Sequence, residues 1–394
     1  MSNNSIYLSF YFILCSLFNT AFAGENVEDT LIEMYGEMNG IDSELSIDSI
    51  NISADHNESN GIPMPLYANG KMQSKLLVDI DFVDSQGSPV EVPVATLKDN
   101  IVFYYKKGGQ RWGIAEELCT YGIDEDCWQV TYTENKYEHQ LPVNKSIPKS
   151  EAQSFNQSSN RSSHLTAWLS TTEVAEYRQV CAIVVFTDGK SFDSCAYPYD
   201  ENAIYRAVTP KEYSVNDFNP FPAPGSDDLN NALVYQKENV FIFNFYVTPI
   251  DTSIRLLDYS WSQYDVYSDK HFLRDNNVYK CGGTSSASAP CIIDGLASYP
   301  GVERDQSLTV YSQTGNPSTA TFKVNQVARS VTFTKAVSVA VRGSYGNQID
   351  PEQSSHRFYV WDQYGNRAAL KISYPRFDQN GQVWNYDEWI LANQ

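Results

Sequence analysis

Apolar residues in this chain recur at every second position, and long runs with the three-to-four-residue period of a helix are absent. Leu76, Val78, Ile80 and Phe82 alternate with Leu77, Asp79, Asp81 and Val83 before the turn Asp84-Ser85-Gln86-Gly87. Val331, Phe333, Val337, Val339 and Val341 alternate with Thr332, Thr334, Ala336, Ser338 and Ala340. A period of two puts one apolar face on an extended strand. Residues 101–105, 165–170, 181–186 and 370–374 have the same strand character, and 240–247 is nearly all apolar, as for a strand buried on both faces. The 27 Tyr and 19 Phe suit pleated surfaces. Short strands broken by Gly, Asn and Asp turns predict an all-β protein. The expected architecture is two tandem antiparallel β-sandwich domains of the immunoglobulin or fibronectin-III kind rather than a βαβ fold.

The 394 residues accommodate two such domains. Residues 6–18 form an apolar run too short to span a bilayer but right for a signal-peptide core. Ala21-Phe22-Ala23 then supplies small residues for cleavage before Gly24, so residues 1–23 are expected to be removed on export. No later stretch is apolar enough to cross a membrane. Residues 24–60 hold ten acidic residues and no Lys or Arg, and they read as a flexible acidic leader with one short amphipathic stretch near 27–38. The first sandwich is expected over 61–212, interrupted by a Ser-rich loop at 144–163. A proline-rich, extended linker is expected over 213–231, and the second sandwich over 232–394.

Without Cys15, which lies in the apolar run, six cysteines remain, in three sequence-local couples: Cys119 with Cys127, Cys181 with Cys195, and Cys281 with Cys291. Spacing alone leaves fifteen pairings open, but an even number in an exported chain points to disulfides. The middle couple carries a geometric argument. A three-residue loop Thr187-Asp188-Gly189, with Gly189 left-handed, places Cys181 and Cys195 opposite each other across a hairpin. None of the couples has the spacing of a zinc knuckle.

Lys and Arg total 28 against 48 Asp and Glu, a net charge of −20. That balance argues against a nucleic-acid or anionic-membrane partner, since both demand basic surface. The segment Cys281-Gly-Gly-Thr-Ser-Ser-Ala-Ser-Ala-Pro-Cys291 resembles the serine loop of subtilases over about eight residues, but it is one residue too long. The motifs that should supply an Asp and a His are missing, so a small-residue loop closed by a disulfide accounts for it better. His56, His139, His164, His271 and His356 form no metal motif. With 48 carboxylates, a pair at glycosidase separation is expected by chance in any fold and decides nothing. In the mature chain five Asn-x-Ser triplets in which x is not Pro, at Asn51, Asn57, Asn144, Asn156 and Asn160, would carry glycans in a eukaryotic host, but the Ala-Phe-Ala cleavage site and few cysteines favour a bacterium.

No cofactor is expected. The one ion the sequence admits is calcium, on Asp124, Glu125 and Asp126 inside the loop that Cys119 and Cys127 would close. The aromatic sets are the most informative feature. Tyr259, Trp261, Tyr264 and Tyr267 lie in a polar segment, and Trp361, Tyr364, Trp384, Tyr386 and Trp389 crowd the C-terminal end. Such rings either fill a sandwich core or stack on sugars and anchor protein interfaces. The function expected from these features is a secreted, non-enzymatic binding, adhesion or extracellular-matrix component recognising a glycan or a protein at a cell surface. Its rivals are a secreted carbohydrate-active enzyme and a β-rich toxin that oligomerises.

Overall fold

The structure, a computed structural model, describes residues 40–54, 63–114, 119, 126–141, 162–196, 201–222, 227–237, 240–261, 292–311, 317–338, 355–373 and 390–394. It is nearly all β. The chain divides into two units: the first comprises the chain through Ala68, Gln73–Glu134 and Pro142–Val208, and the second Asn69–Met72, Asn135–Leu141 and Thr209–Gln394.

The first unit contains β1 (Ser46–Ala54), β2 (Met64–Tyr67), β3 (Ser74–Val83), β4 (Pro89–Val90), β5 (Ile101–Lys107), β6 (Gln110–Gly113), β7 (Trp128–Thr131), β8 (Ser163–Thr171), β9 (Ala175–Val185), β10 (Ser191–Asp193) and β11 (Ala203–Val208). One sheet runs β1-β3-β8-β7 with β4 beside β3, and the other β2-β11-β9-β5-β6 with β10 beside β9. The period-two pattern of β3 is realised residue by residue: Leu76, Val78, Ile80 and Phe82 are fully buried, and the residues between them are partly exposed. The turn after it closes as read, with Gly87 at φ +77° and the Asp84 carboxylate accepting from the amides of Gln86 and Ser88. Among the described strands of this unit pairing is antiparallel except that β2 lies parallel to β11, and an isolated parallel bridge joins Ile41 to Phe186. Rings from both sheets meet at Trp128, whose centroid is 5.6 Å from Tyr105 and 6.3 Å from Tyr205.

Between β8 and β9 the Glu173 carboxylate, 3% exposed, takes hydrogen bonds from Trp128 Nε1 at 2.6 Å and from Arg178, and pairs with Lys107 at 2.8 Å. Burial pushes its pKa up, but the hydrogen bonds from Arg178, Lys107 and Trp128 outweigh it and hold the carboxyl below the usual range.

The second sheet of this unit is buried on both faces along residues 101–105 of β5 and 180–185 of β9. The hairpin that follows β9 has the predicted register: Val185 faces Ser191, Val184 faces Phe192 and Ile183 faces Asp193, with Gly189 at φ +80°. Two residues further on, Cys181 and Cys195 are bonded, with Cα atoms 5.7 Å apart. Cys119 and Cys127 form a second disulfide. Cys281 and Cys291 lie outside the described residues, as does nearly all of the Ser-rich loop.

The second unit contains β12 (Leu233–Lys237), β13 (Val240–Val247), β14 (Leu256–Trp261), β15 (Ile292–Ser298), β16 (Arg304–Tyr311), β17 (Pro317–Val324), β18 (Val331–Ser338), β19 (Ser355–Asp362), β20 (Arg367–Ser373) and β21 (Ile390–Asn393). Its four-stranded sheets are β12-β13-β18-β15 and β14-β19-β20-β21, and β16 pairs with β17 alone. One apolar core draws on both four-stranded sheets, through Phe245, Val247, Val331 and Phe333 from the first and Tyr259, Phe358, Val360, Leu370 and Ile372 from the second. β13 departs from the all-apolar reading at one point. Asn244 is buried but satisfied, donating to the Lys323 carbonyl at 2.6 Å and accepting from the Thr334 hydroxyl at 2.8 Å.

Two sequence expectations are corrected. The acidic leader is not flexible throughout, because residues 46–54 form β1, paired to β3 with Ile50, Ile52 and Ala54 buried. The charge of the segment hid this period-two stripe. The stretch 213–222 is not a free linker either. Phe218 and Phe221 enter the core of the second unit, and backbone bonds from Asn219 to Thr248 and from Ile250 to Asp217 tie it down. Prolines 220 and 222 demand no donor partner, so the aromatic anchors decide the path.

Two measurements check this account. Replacing Cys181 and Cys195 together by Ala should lower stability by about 3 kcal/mol in urea unfolding, the loss expected for a loop of this size. Because the Glu173 pKa is depressed, its contribution to stability is full above the ordinary Glu pKa and lost as pH falls below it. The stability gap between wild type and Glu173→Gln should therefore shrink as pH drops from 6 to 3, by roughly the amount the lost ion pairs supply.

Candidate functional site

The strands of the second four-stranded sheet alternate between two faces. Phe358 and Val360 of β19 and Ala368, Leu370 and Ile372 of β20 point into the core. The residues between them therefore lie on the opposite, outer face: Arg357, Tyr359 and Trp361 of β19, and Arg367, Ala369 and Lys371 of β20. The register sets Trp361 opposite Arg367, Tyr359 opposite Ala369 and Arg357 opposite Lys371, while Asp258 and Ser260 of β14 flank Trp361 and Tyr359.

A buried turn fixes the end of this face. Asp362, 1% exposed, closes the turn from β19 to β20. One carboxylate oxygen accepts from the amides of Tyr364 and Asn366, each at 2.8 Å, and the other from the Tyr213 hydroxyl at 2.6 Å and Asn366 Nδ2 at 3.0 Å. Gly365 adopts φ +82° within it. Asn69 packs on the same turn, donating to the Tyr364 carbonyl at 2.9 Å and to Asn366 Oδ1 at 3.0 Å. Its own Oδ1 accepts from the amides of Lys71 and Met72. Asn135 Nδ2 then holds the Lys71 carbonyl at 2.6 Å, and the Glu138 amide bonds the Gln363 carbonyl.

These bonds carry Lys71 and Tyr137 onto the outer face beside Trp361. The Lys71 ammonium lies 5.0 Å from the centroid of Trp361 and 5.7 Å from that of Tyr137. Burial lowers the Lys71 pKa; Asp258 raises it, and the neighbouring Lys136 and Arg367 lower it again. Tyr137 donates to Asp258 at 3.1 Å, and burial together with that carboxylate raises its phenol well above the ordinary value. Lys136 pairs with Asp258 at 2.8 Å. Farther along, the Arg367 guanidinium sits 4.7 Å from the Tyr359 centroid, and the Tyr359 and Trp361 rings are 6.1 Å apart.

The face is thus a ladder of partly exposed rings interleaved with cations. It carries Lys71, Lys136, Arg357, Arg367 and Lys371 against one carboxylate, Asp258, among the described residues. Surfaces of this kind bind flat or anionic groups by stacking and by charge-assisted hydrogen bonds.

Of the residues singled out from sequence, Tyr259 is a core residue, 2% exposed and in ring contact with Tyr299, Phe333 and Phe358. It is not available to stack on a ligand, because its strand turns it inward. Trp261 ends β14 opposite Phe358. Its side chain is outside the described residues, as are Tyr264, Tyr267, Trp384, Tyr386 and Trp389. Tyr364 is buried in the Asp362 turn. Of the acidic triplet only Asp126 is described, exposed at φ 60° and paired with Lys107 at 3.2 Å; Asp124 and Glu125 are outside. No cluster of three or more His, Cys, Asp or Glu gathers among the described residues. Asn69, Lys71, Asn135, Tyr137, Asp258 and Arg367 escaped the sequence reading because distant segments bring them together. The signal that was available is the alternation Arg357-Phe358-Tyr359-Val360-Trp361, core residues at even positions and ring or cation at odd ones.

No protein-family model matches this chain, and no curated protein sequence matches it.

A Cβ on Gly365 would lie 2.5 Å from the Lys71 Cβ, in a conformation that also disfavours side chains. Gly365→Ala should therefore cost more than about 2 kcal/mol, from the φ penalty and the overlap together. Asp362→Ala should cost about 3 kcal/mol or more, since the Tyr213 hydroxyl and two backbone amides lose their acceptor. Thermal or urea unfolding checks both.

Proposed function

We propose that this protein is a secreted, non-enzymatic binding or adhesion component that recognises a glycan or a protein at a cell surface or in extracellular matrix, using the outer face of the β14-β19-β20-β21 sheet. The observation that carries the reading is the ring-and-cation ladder from Arg357 through Tyr359 and Trp361 to Lys71. Several partly exposed aromatics are held at fixed spacing on a sheet whose other face is core. Rings anchored in this way lose little entropy on binding.

Export is supported by the apolar run at 6–18 with its Ala21-Phe22-Ala23 site, and by the two disulfides, which persist in oxidising compartments. No helix among the described residues is long and apolar enough to cross a membrane. Two sheets sharing one core in the second unit suit sandwich domains of the immunoglobulin or fibronectin-III kind. Because that architecture hosts many activities, the assignment rests on the face and not on the fold.

The test is a screen of residues 24–394 against arrayed glycans and cell-surface proteins, with Trp361→Ala and Tyr359→Ala alongside. Each substitution should weaken the captured interaction about ten-fold or more while far-UV circular dichroism is unchanged, as removal of an anchor ring does at other interfaces. Equal binding by wild type and both variants would remove this face from the account.

A further inference from the structure

Among the described residues of the second unit, four of the five exposed large apolar side chains gather on three loops at one end. Ile250 lies between β13 and β14, Tyr299 and Val302 between β15 and β16, and Val327 between β17 and β18. The pairing of Val247 with Val331, of Ser298 with Thr332 and of Arg304 with Val324 puts the three loops at the same end of their strands. A single exposed valine needs no account, but a group on adjoining loops does. Val302 is 84% exposed.

Hydrogen bonds tie the loops to one another. The buried Asn325 side chain donates to the carbonyls of Tyr299 at 3.0 Å and Val302 at 3.4 Å. Arg329 donates to the carbonyls of Thr252 and Ile254, and its own carbonyl accepts from the Leu256 amide at 3.1 Å. Gln363 holds the first loop as well, donating to the Ser253 carbonyl at 2.8 Å and accepting from the Arg255 amide at 2.9 Å. Asn325 and Arg329 adopt φ 59° and 68°, a conformation that costs energy at an arginine and recurs where loops bind ligands. Every charged side chain on these loops is engaged: Asp251 with Lys211 at 3.9 Å, Arg255 with Glu138 at 3.0 Å, Glu303 with Lys323 at 3.7 Å, and Arg329 on its two carbonyls. The tips are therefore apolar, and the charges beside them are balanced within the protein.

We infer that these loop tips are a membrane-contact site, which seats Val302, Val327, Tyr299 and Ile250 in the headgroup region of an electrically neutral, zwitterionic bilayer. The site is additional to the outer sheet face and does not depend on it. Separate protruding side chains touch little of a flat protein surface, whereas lipid closes around each of them. A tyrosine beside aliphatic side chains suits the boundary between headgroups and acyl chains. Charge selects the lipid. A chain of −20 is repelled by an anionic leaflet, and both arginines of the loops already have partners. A second copy meets the same objection, because each partner would bring −20.

The experiment is flotation of residues 24–394 with vesicles of phosphatidylcholine and with vesicles of equal phosphatidylcholine and phosphatidylglycerol. The protein should float with phosphatidylcholine and less with the anionic mixture. Val302→Asp and Val327→Asp should each weaken partition about ten-fold or more, the loss of one buried valine. Val302→Trp should strengthen it, an outcome that misfolding does not produce. Val174→Asp, at an exposed valine of the first unit, should change nothing. No flotation with phosphatidylcholine, equal flotation of wild type and both Asp variants, or tighter binding to the anionic vesicles would overturn the inference. So would a dimer in sedimentation velocity that Val302→Asp abolishes, which would give the tips to a second copy. None of these results bears on the glycan and protein screen of the sheet face, so the two readings fail separately.

Discussion

The buried Asp362 carboxylate organises the turn from β19 to β20 and the end of the sheet face beside it. Four donors converge on its two oxygens, two from backbone amides of its own turn, one from Asn366 and one from Tyr213. A carboxylate removed from water is stable only when its lone pairs are occupied, and here they are. The consequence is that the turn from β19 to β20 is tied at four points to one side chain. Asn69 reads that turn through the Tyr364 carbonyl and the Asn366 amide and sets the path of residues 69–72. The outer-face cations and rings are therefore placed by a polar knot on the end of the sheet, and by the apolar core beneath it.

The same division of labour runs through the first unit. There a buried glutamate, Glu173, gathers an indole N–H, a guanidinium and an ammonium around the rings that join the two sheets. Glu173 and Asp362 both sit at turns between strands with several donors converging on the carboxylate. In an oxidising compartment this combination is robust, because neither the saturated carboxylates nor the short disulfide loops depend on a large apolar core.

Much of the fold was legible in the sequence, for physical reasons. Period-two alternation in β3 and the Gly189 hairpin each follow from rules confined to a dozen neighbouring residues, and so the register that joins Cys181 to Cys195 could be worked out in advance. β1 was missed because ten acidic residues dominate its segment while only Ile50, Ile52 and Ala54 record the buried stripe. Phe218 and Phe221 were missed because proline spacing describes backbone stiffness and says nothing about where an aromatic between prolines will pack. The site itself was barely legible. Trp361 was noticed as an aromatic, but Lys71, Tyr137, Asp258 and Arg367 become neighbours only through long-range pairing, and Tyr259, the more conspicuous candidate, faces inward because its place on β14 makes it core.

The most direct test of the central claim is hydroxyl-radical footprinting of residues 24–394, free and bound to the surface or polymer that retains it. The account predicts that Tyr359 and Trp361 lose reactivity on binding, while exposed Trp112 of the first unit and buried Tyr259 do not change. Unchanged reactivity at Tyr359 and Trp361 alongside protection elsewhere would contradict it, and would move the recognition surface to another part of the molecule.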